Sequence, residues 1–171
     1  MNITFDQCYH GCSIPVEIEK WSIDNSQGMK SMNKETIYVT IPPGIDSNEI
    51  IVLRNRGNSV NDQIIGDVKI TIVVENTTLF KRNGLDLVYR ASIPLKEALC
   101  GFAIEITHIN GKKLCLTNHS NPMIIKPGYR NLLPQMGFNR DENKGNLVIE
   151  FDVVFPDSLT CEQMTSIASI L

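Results

Sequence analysis

The chain has 171 residues, of which 42% are hydrophobic and 20% charged, with 16 Lys and Arg against 19 Asp and Glu. This balance excludes intrinsic disorder, because frequent apolar residues offset the entropy that is lost on ordering. The net charge of −3 argues against a general nucleic-acid or anionic-membrane binder, since both need a surplus of cations. The length fits one ordinary domain or two of roughly 80 residues each.

Cysteine usage and the amino terminus indicate the compartment. No stretch approaches the roughly 18–20 apolar residues of a membrane span, and the first residues lack the basic and apolar regions of a signal peptide. The five cysteines are Cys8, Cys12, Cys100, Cys115 and Cys161. Without a CxxC pair they favour neither a disulfide framework nor a structural zinc site. We therefore expect a cytoplasmic protein without metal or cofactor.

In chain order, four segments alternate apolar and polar residues, which is typical of half-buried antiparallel strands. These segments are residues 14–18, 37–41, 68–74 and 147–153. Asn110 and Gly111 lie between two further β-like runs, residues 103–109 and 112–116, and predict a hairpin. The chain is therefore predicted to be mainly β.

The sequence also contains an internal repeat. Residues 3–11 match residues 93–101 in their apolar and glycine positions, and further landmarks follow in the same order around residues 41–44 and 125–128. An ordered set of this kind predicts two tandem β-sandwich-like modules of the same fold. We place the first module at residues 1–76, the second at 77–157 and a short helix at 158–171.

The final segment changes its period from two to that of a helix. Thr160 and Gln163 are spaced as a capping box, with Thr160 as the N-cap. The apolar stripe that follows consists of Met164, Ile167, Ala168 and Leu171. Because so short a helix is marginal alone, the stripe must pack on something. Either it docks on the second module or, as we favour, it dimerises with a second copy.

Catalytic motifs are missing from the sequence. No nucleophile elbow, phosphate loop, dinucleotide fingerprint or HExxH motif occurs. His10, His108 and His119 are scattered and are predicted to be surface or turn residues. The sequence therefore suggests no catalytic residues, and we do not expect an enzyme.

A known pattern covers the second module. Residues 80–87 read FKRNGLDL and residues 95–101 read LKEALCG, followed by IKPG at 125–128 and GNLVI at 145–149. With these motifs the chain resembles the C-terminal substrate-binding region of DnaJ-type J-domain co-chaperones. The family pattern there is F-x-R-x-G-x-D-L, then L-x-E-A-L-x-G. The similarity covers essentially the whole chain.

Departures from the family pattern qualify the resemblance. The His-Pro-Asp tripeptide of a J domain is absent, so we expect no stimulation of the 70-kDa heat-shock chaperone's ATPase by these residues. Residues 20–34 contain no cysteine, which makes the chain similar to the zinc-less class B members. Ile14 and Glu17 stand where those members often carry lysines, whereas Lys34 is retained. This puts docking of the partner chaperone's acidic tail in doubt.

The resemblance implies a function and two sets of residues. Such a region binds unfolded client polypeptide by strand addition beside an apolar pocket and delivers it to the 70-kDa heat-shock chaperone. The implied client-binding residues are Met1, Val16, Ile18 and Lys34, and the implied homodimer forms through the C-terminal stripe. No nucleic-acid or membrane partner is expected. The alternative is a structural module that spaces a dimer without binding clients.

Overall fold

The structure, a computed structural model, describes residues 1–23, 30–61, 64–120 and 123–170. The chain is mainly β with a short C-terminal helix, as predicted. Its elements are β1 (Asn2–Thr4), α1 (Phe5–His10), β2 (Cys12–Ile23), β3 (Lys30–Ile41), β4 (Ile50–Leu53), β5 (Ser59–Asn61), β6 (Ile64–Ile65), β7 (Val68–Thr71), β8 (Val73–Glu75), β9 (Phe80–Asn83), β10 (Asp86–Pro94), α2 (Leu95–Cys100), β11 (Ala103–Thr107), β12 (Lys113–Thr117), β13 (Arg130–Leu133), β14 (Asn139–Arg140), β15 (Asn143–Lys144), β16 (Leu147–Val154) and α3 (Cys161–Ile170). Within the described ranges, no helix is long and apolar enough to cross a membrane.

Two compact units divide the described chain. The first unit contains Met1–Thr78 together with Gly137–Gly145, and the second contains Leu79–Met136 and the residues from Asn146 onward. The first unit therefore includes a short segment that comes from far along the sequence. The three-part division at residues 76 and 157 stays a prediction.

A long antiparallel hairpin of β2 and β3 dominates the first unit. It runs in continuous register from the pair Cys12–Ile41 to the pair Ile23–Lys30. Alternation directs one row of β3 side chains into the core, where Val39 is fully buried. In the same sheet, the strand order is β3-β2-β5-β6. The hairpin thus supplies core residues and two neighbouring strands of this sheet, with β3 at its edge.

In the second unit, β16 is one of the two inner strands of a sheet with the order β13-β16-β10-β9. Its buried residues include Leu147, Ile149 and Phe151, as the alternation predicts. β16 pairs with β13 in the antiparallel sense that the pattern suggested, but it pairs with β10 in parallel. Parallel pairing needs a long crossover connection, and the segment that carries β11 to β15 provides one. The β11–β12 hairpin around Asn110 and Gly111 is confirmed.

The alternating segment at residues 68–74 forms two strands, not one. β7 pairs antiparallel with β4, whereas β8 pairs parallel with β1. The fully buried Ile72 lies between them. Its N–H donates to the Glu49 carbonyl over 2.9 Å, and its carbonyl accepts from the Asn48 N–H over 2.8 Å. The chain changes partner at Ile72 and still keeps this side chain in the core.

The sequence repeat is reproduced in local structure. α1 and α2 have six residues each and end at Gly11 and Gly101, both with positive φ. Each glycine N–H donates to the carbonyl four residues earlier, over 2.9 Å and 3.0 Å. Cys8 and Ala98 occupy corresponding helix positions, and both are fully buried. The two copies therefore share a helix turn and its packing.

The segment Gly137–Gly145 completes the core of the first unit. Phe138 is fully buried, and its ring centroid lies 5.3 Å from that of Phe5 in an edge-to-face contact and 5.4 Å from that of Tyr9. Arg140 Nη1 and Nη2 donate to the Glu49 carboxylate over 2.6 Å and 2.9 Å. An aromatic cluster and a bidentate ion pair thus hold this segment in the first unit.

We expect Phe138→Ala to destabilise the first unit by about 3–5 kcal/mol, because it leaves a cavity among Phe5 and Tyr9. Trp21 is the single tryptophan and belongs to this unit, so its fluorescence during denaturant unfolding measures the change. Leu79→Ala is the control, since Leu79 is exposed, and we expect a shift within about 0.5 kcal/mol. An unchanged Trp21 transition in the Phe138 variant would contradict the assignment of this segment.

Candidate functional site

One edge of β2 is open over most of its length. β2 pairs with β3 from end to end, but on its other edge the described residues pair with it only at Ser22, opposite Ser59 of β5. Near its start, β2 contains Pro15, which has no N–H for a sheet ladder and is tolerated at sheet edges. Such an edge presents main-chain groups with which another extended chain can pair.

Val16 and Ile18 lie together on one face of β2. Both are half-buried, and their register partners on β3 are Ile37 and Glu35. Ile37 is buried in the core of the unit. Part of each β2 side chain therefore stays accessible at the margin of an apolar layer. The structure brings these two predicted client-binding residues to the same open strand.

Lys34, also predicted at the client site, lies on the opposite face of the hairpin. Its register partner is Glu19, and side chains alternate between faces along a strand. Lys34 Nζ lies 3.0 Å from Glu19 Oε1 and 3.2 Å from Glu17 Oε1. Hydrogen bonds to Glu19 and then Glu17 raise the pKa of Lys34. The structure does not bring Lys34 together with Val16 and Ile18.

Charged residues that the sequence analysis did not single out lie on the Val16 face. Lys20 Nζ donates to the Glu35 carboxylate, and Arg56 Nη1 donates to Glu35 Oε1 over 3.1 Å. The hydrogen bond from Lys20 is the main cause that lowers the pKa of Glu35. Lys20 and Glu35 are 15 residues apart, so only the pairing of β2 with β3 could reveal their contact.

Met1, the last of the predicted client-binding residues, belongs to another sheet. Its backbone nitrogen donates to the Thr71 carbonyl over 2.7 Å, and its carbonyl accepts from the Val73 N–H over 2.9 Å. These bonds anchor Met1 beside the β1–β8 pair, whereas β2 belongs to the β3-β2-β5-β6 sheet. A role for Met1 as a wall of the client pocket stays a prediction.

The C-terminal helix begins with the predicted capping box. Thr160 N–H donates to Gln163 Oε1 over 2.9 Å, and Gln163 N–H donates to Thr160 Oγ1 over 3.2 Å. None of the described α3 side chains is buried. Of the predicted stripe, Met164, Ile167 and Ala168 are exposed, and Leu171 lies outside the described residues.

An apolar groove of about 370 Å³ lies between α2, the end of β16 and α3 in the second unit. Its lining includes Leu95, Leu99, Phe155, Leu159 and Ile167. Ile167 therefore faces the body of its own unit across this groove, and 42% of the residue is exposed. Of the stripe residues that the structure describes, Ile167 is the one that lines the groove, and Met164 is exposed as well.

The described residues contain no group of three or more His, Cys, Asp and Glu side chains that could hold a metal ion. His108 lies at the β11–β12 turn, one of the two locations predicted for it, and is buried there. Its Nδ1 accepts from the Asn110 N–H over 3.2 Å, and its Nε2 lies 2.8 Å from the Met136 carbonyl. These contacts assign His108 a structural role in the turn.

Comparison with known proteins identifies the family. The family model of the DnaJ C terminal domain matches residues 1–156. The chain belongs to the DnaJ C-terminal domain family.

Several DnaJ homologues are similar to this domain. Protein psi1 of Schizosaccharomyces pombe is 30% identical over 169 residues, which cover 97% of this chain and 44% of psi1. DnaJ protein homolog 2 of Allium porrum is 33% identical over 142 residues, 81% of this chain and 34% of the relative. DnaJ protein homolog 1 of Drosophila melanogaster is 26% identical over 172 residues, 99% of this chain and 50% of the relative. The chain thus spans half or less of the length of each of these relatives.

The position of Lys34 is tested by its titration. We expect Glu19→Gln to lower the pKa of Lys34 towards its ordinary value, because the variant removes the carboxylate that contributes most to the raised pKa. Glu17→Gln should have the same sign and a smaller effect. Side-chain NMR of Lys34 measures both. Glu35→Gln is the control on the other face and should leave this pKa unchanged; an equal response to all three variants would contradict the described faces.

Proposed function

We propose that this chain is the client-binding part of a DnaJ-like co-chaperone. It holds extended segments of unfolded polypeptide and delivers them to the 70-kDa heat-shock chaperone. The observation that carries this proposal is the open edge of β2 beside the half-buried Val16 and Ile18. Membership of the DnaJ C-terminal domain family supports the co-chaperone role.

Strand addition suits a protein that must accept many clients. Main-chain hydrogen bonds are available from any extended segment, so they confer affinity with little dependence on client sequence. Apolar client side chains beside Val16 and Ile18 add about 1.5–3 kcal/mol each when fully buried. The proposed activity is binding without catalysis or a cofactor, in the cytoplasm.

Val16→Asp should abolish suppression of client aggregation, because it places a carboxylate where apolar client side chains would pack. Light scattering of a chemically denatured model client, diluted with the chain present, measures this activity. Thr40→Asp is the matched control, since Thr40 is exposed on the opposite face of the same hairpin. Circular dichroism and Trp21 fluorescence verify that both variants are folded.

Full activity of a folded Val16→Asp variant would contradict the assignment of the client site to β2. If the unsubstituted chain neither protects the client nor binds extended apolar peptides, the spacer role becomes the better interpretation.

We further propose that the chain forms a homodimer through α3. The stripe of Met164, Ile167, Ala168 and Leu171 would meet the same stripe of a second copy around a two-fold axis. Exposed apolar side chains on α3 support this proposal. Because the stripe is short and association itself costs at least about 4 kcal/mol, we expect a modest dimer.

Ile167→Asp should abolish self-association, because Ile167 lies at the centre of the stripe. Ser166→Asp is the matched control, since Ser166 is exposed on the same helix and is neither three nor four residues from any member of the stripe. Analytical ultracentrifugation over a range of concentrations measures both variants. A chain that stays monomeric at high concentration would overturn the dimer; unfolding of the second unit by Ile167→Asp would indicate docking in cis instead.

A further inference from the structure

The direction of the main-chain groups along β2 is established by one hydrogen bond. Trp21 N–H donates to Asn58 Oδ1 over 3.0 Å, and Asn58 immediately precedes β5 on the open side of the strand. In a regular strand, the N–H and C=O groups of alternate residues point to the same edge. The register of β2 with β3 is continuous, so Glu19 and Glu17 point their main-chain groups to the edge that Trp21 faces.

Pro15 and Trp21 limit this edge. Pro15 faces the same edge of β2 as Trp21 but has no N–H to donate. The N–H of Trp21 is already bonded to Asn58. Between these two residues, Glu17 and Glu19 supply the N–H groups that an incoming strand would bond. The edge therefore has a short docking segment. The two residues that supply its main-chain N–H groups also carry carboxylate side chains.

Those carboxylates are accessible on one face of the hairpin. The side chains of Glu17 and Glu19 are 61% and 58% exposed. Lys34 contacts both of them, so one ammonium group is shared by two carboxylates. Lys30 lies further along the same face, 4.6 Å from the centre of the Trp21 ring. On the opposite face, Val16 and Ile18 present apolar surface.

Residues of an added strand share a face with the residues they pair with, whether the strands are parallel or antiparallel. Client residues in register with Glu17 and Glu19 would therefore place their side chains beside carboxylates. The client residues between them would lie beside Val16 and Ile18. Opposite charges in register stabilise a strand pair, and like charges destabilise it.

We propose that this edge selects extended client segments in which apolar residues alternate with Lys or Arg, and that it disfavours segments with Asp or Glu at the alternating positions. This selectivity rests on the proposed client-binding function and adds the charge pattern of the client to it.

Three labelled peptides test the charge pattern with the full chain. Each has Leu at alternate positions, and the positions between carry Lys, Gln or Glu. We expect the Lys peptide to bind roughly two- to tenfold more tightly than the Gln peptide, and the Glu peptide to bind more weakly by a similar factor. Fluorescence anisotropy measures the three dissociation constants. The differences should shrink near 1 M salt, where the screening length is about 3 Å.

Substitution of the two carboxylates supplies the second arm. The double variant Glu17→Gln with Glu19→Gln should bring the three affinities together while binding of the Gln peptide stays within about twofold. Glu105→Gln is the matched control, because Glu105 is an exposed strand glutamate that is paired with Lys113 in the second unit. It should leave the order of the peptides unchanged.

The outcomes separate the selectivity from the proposed function. If all three peptides bind equally and Val16→Asp weakens each of them, the client site stands and the charge selectivity is overturned. Tighter binding of the Glu peptide, or an unchanged order in the double variant, also overturns the selectivity. If none of the peptides binds, the proposed client-binding function itself fails.

Discussion

Backbone N–H and C=O groups need partners, and a strand that pairs along one edge leaves those of its other edge to water or to another chain. In this structure that constraint applies to β2, which pairs with β3 over twelve residues and with β5 at one position. The candidate site depends on it. Without the open edge, Val16 and Ile18 would be half-buried residues at the border of the core, with no main-chain groups beside them to pair with another strand.

The edge of β2 can remain open because the first unit is stabilised by its apolar core. Val39 and Ile41 of β3 are almost fully buried on the core face of the hairpin, and Phe138 closes the core next to Phe5. Phe138 follows strands of the second unit in sequence, but its segment folds with the first. The repeated sequence therefore describes the local turns of each copy, whereas the division into units also depends on long-range packing.

The two faces of β2 carry different charged groups. On one face Glu35 is bonded to Lys20 and Arg56, beside the apolar margin. On the other face Lys34 is shared by Glu17 and Glu19. In the proposed client site, a single strand edge thus combines main-chain contacts that depend little on client sequence with side chains that discriminate by charge.

The sequence by itself determined the features that depend on neighbours in the chain. The alternation around Val16 predicted a strand, and Thr160 with Gln163 predicted the start of α3, because residue periodicity and capping are local. The family motifs likewise indicated the DnaJ C-terminal domain family. The repeat of the helix turn at Gly11 was visible for the same reason, since a tight turn needs a particular residue at a particular place.

Only the tertiary structure decided what depends on pairing between distant segments. It placed Lys34 on the face away from Val16, left one edge of β2 open, divided the 68–74 segment at Ile72 and assigned Phe138 to the first unit. None of these features has a local signal, because a shift of one residue in strand register moves every side chain to the opposite face. Register and partner choice are properties of the whole fold.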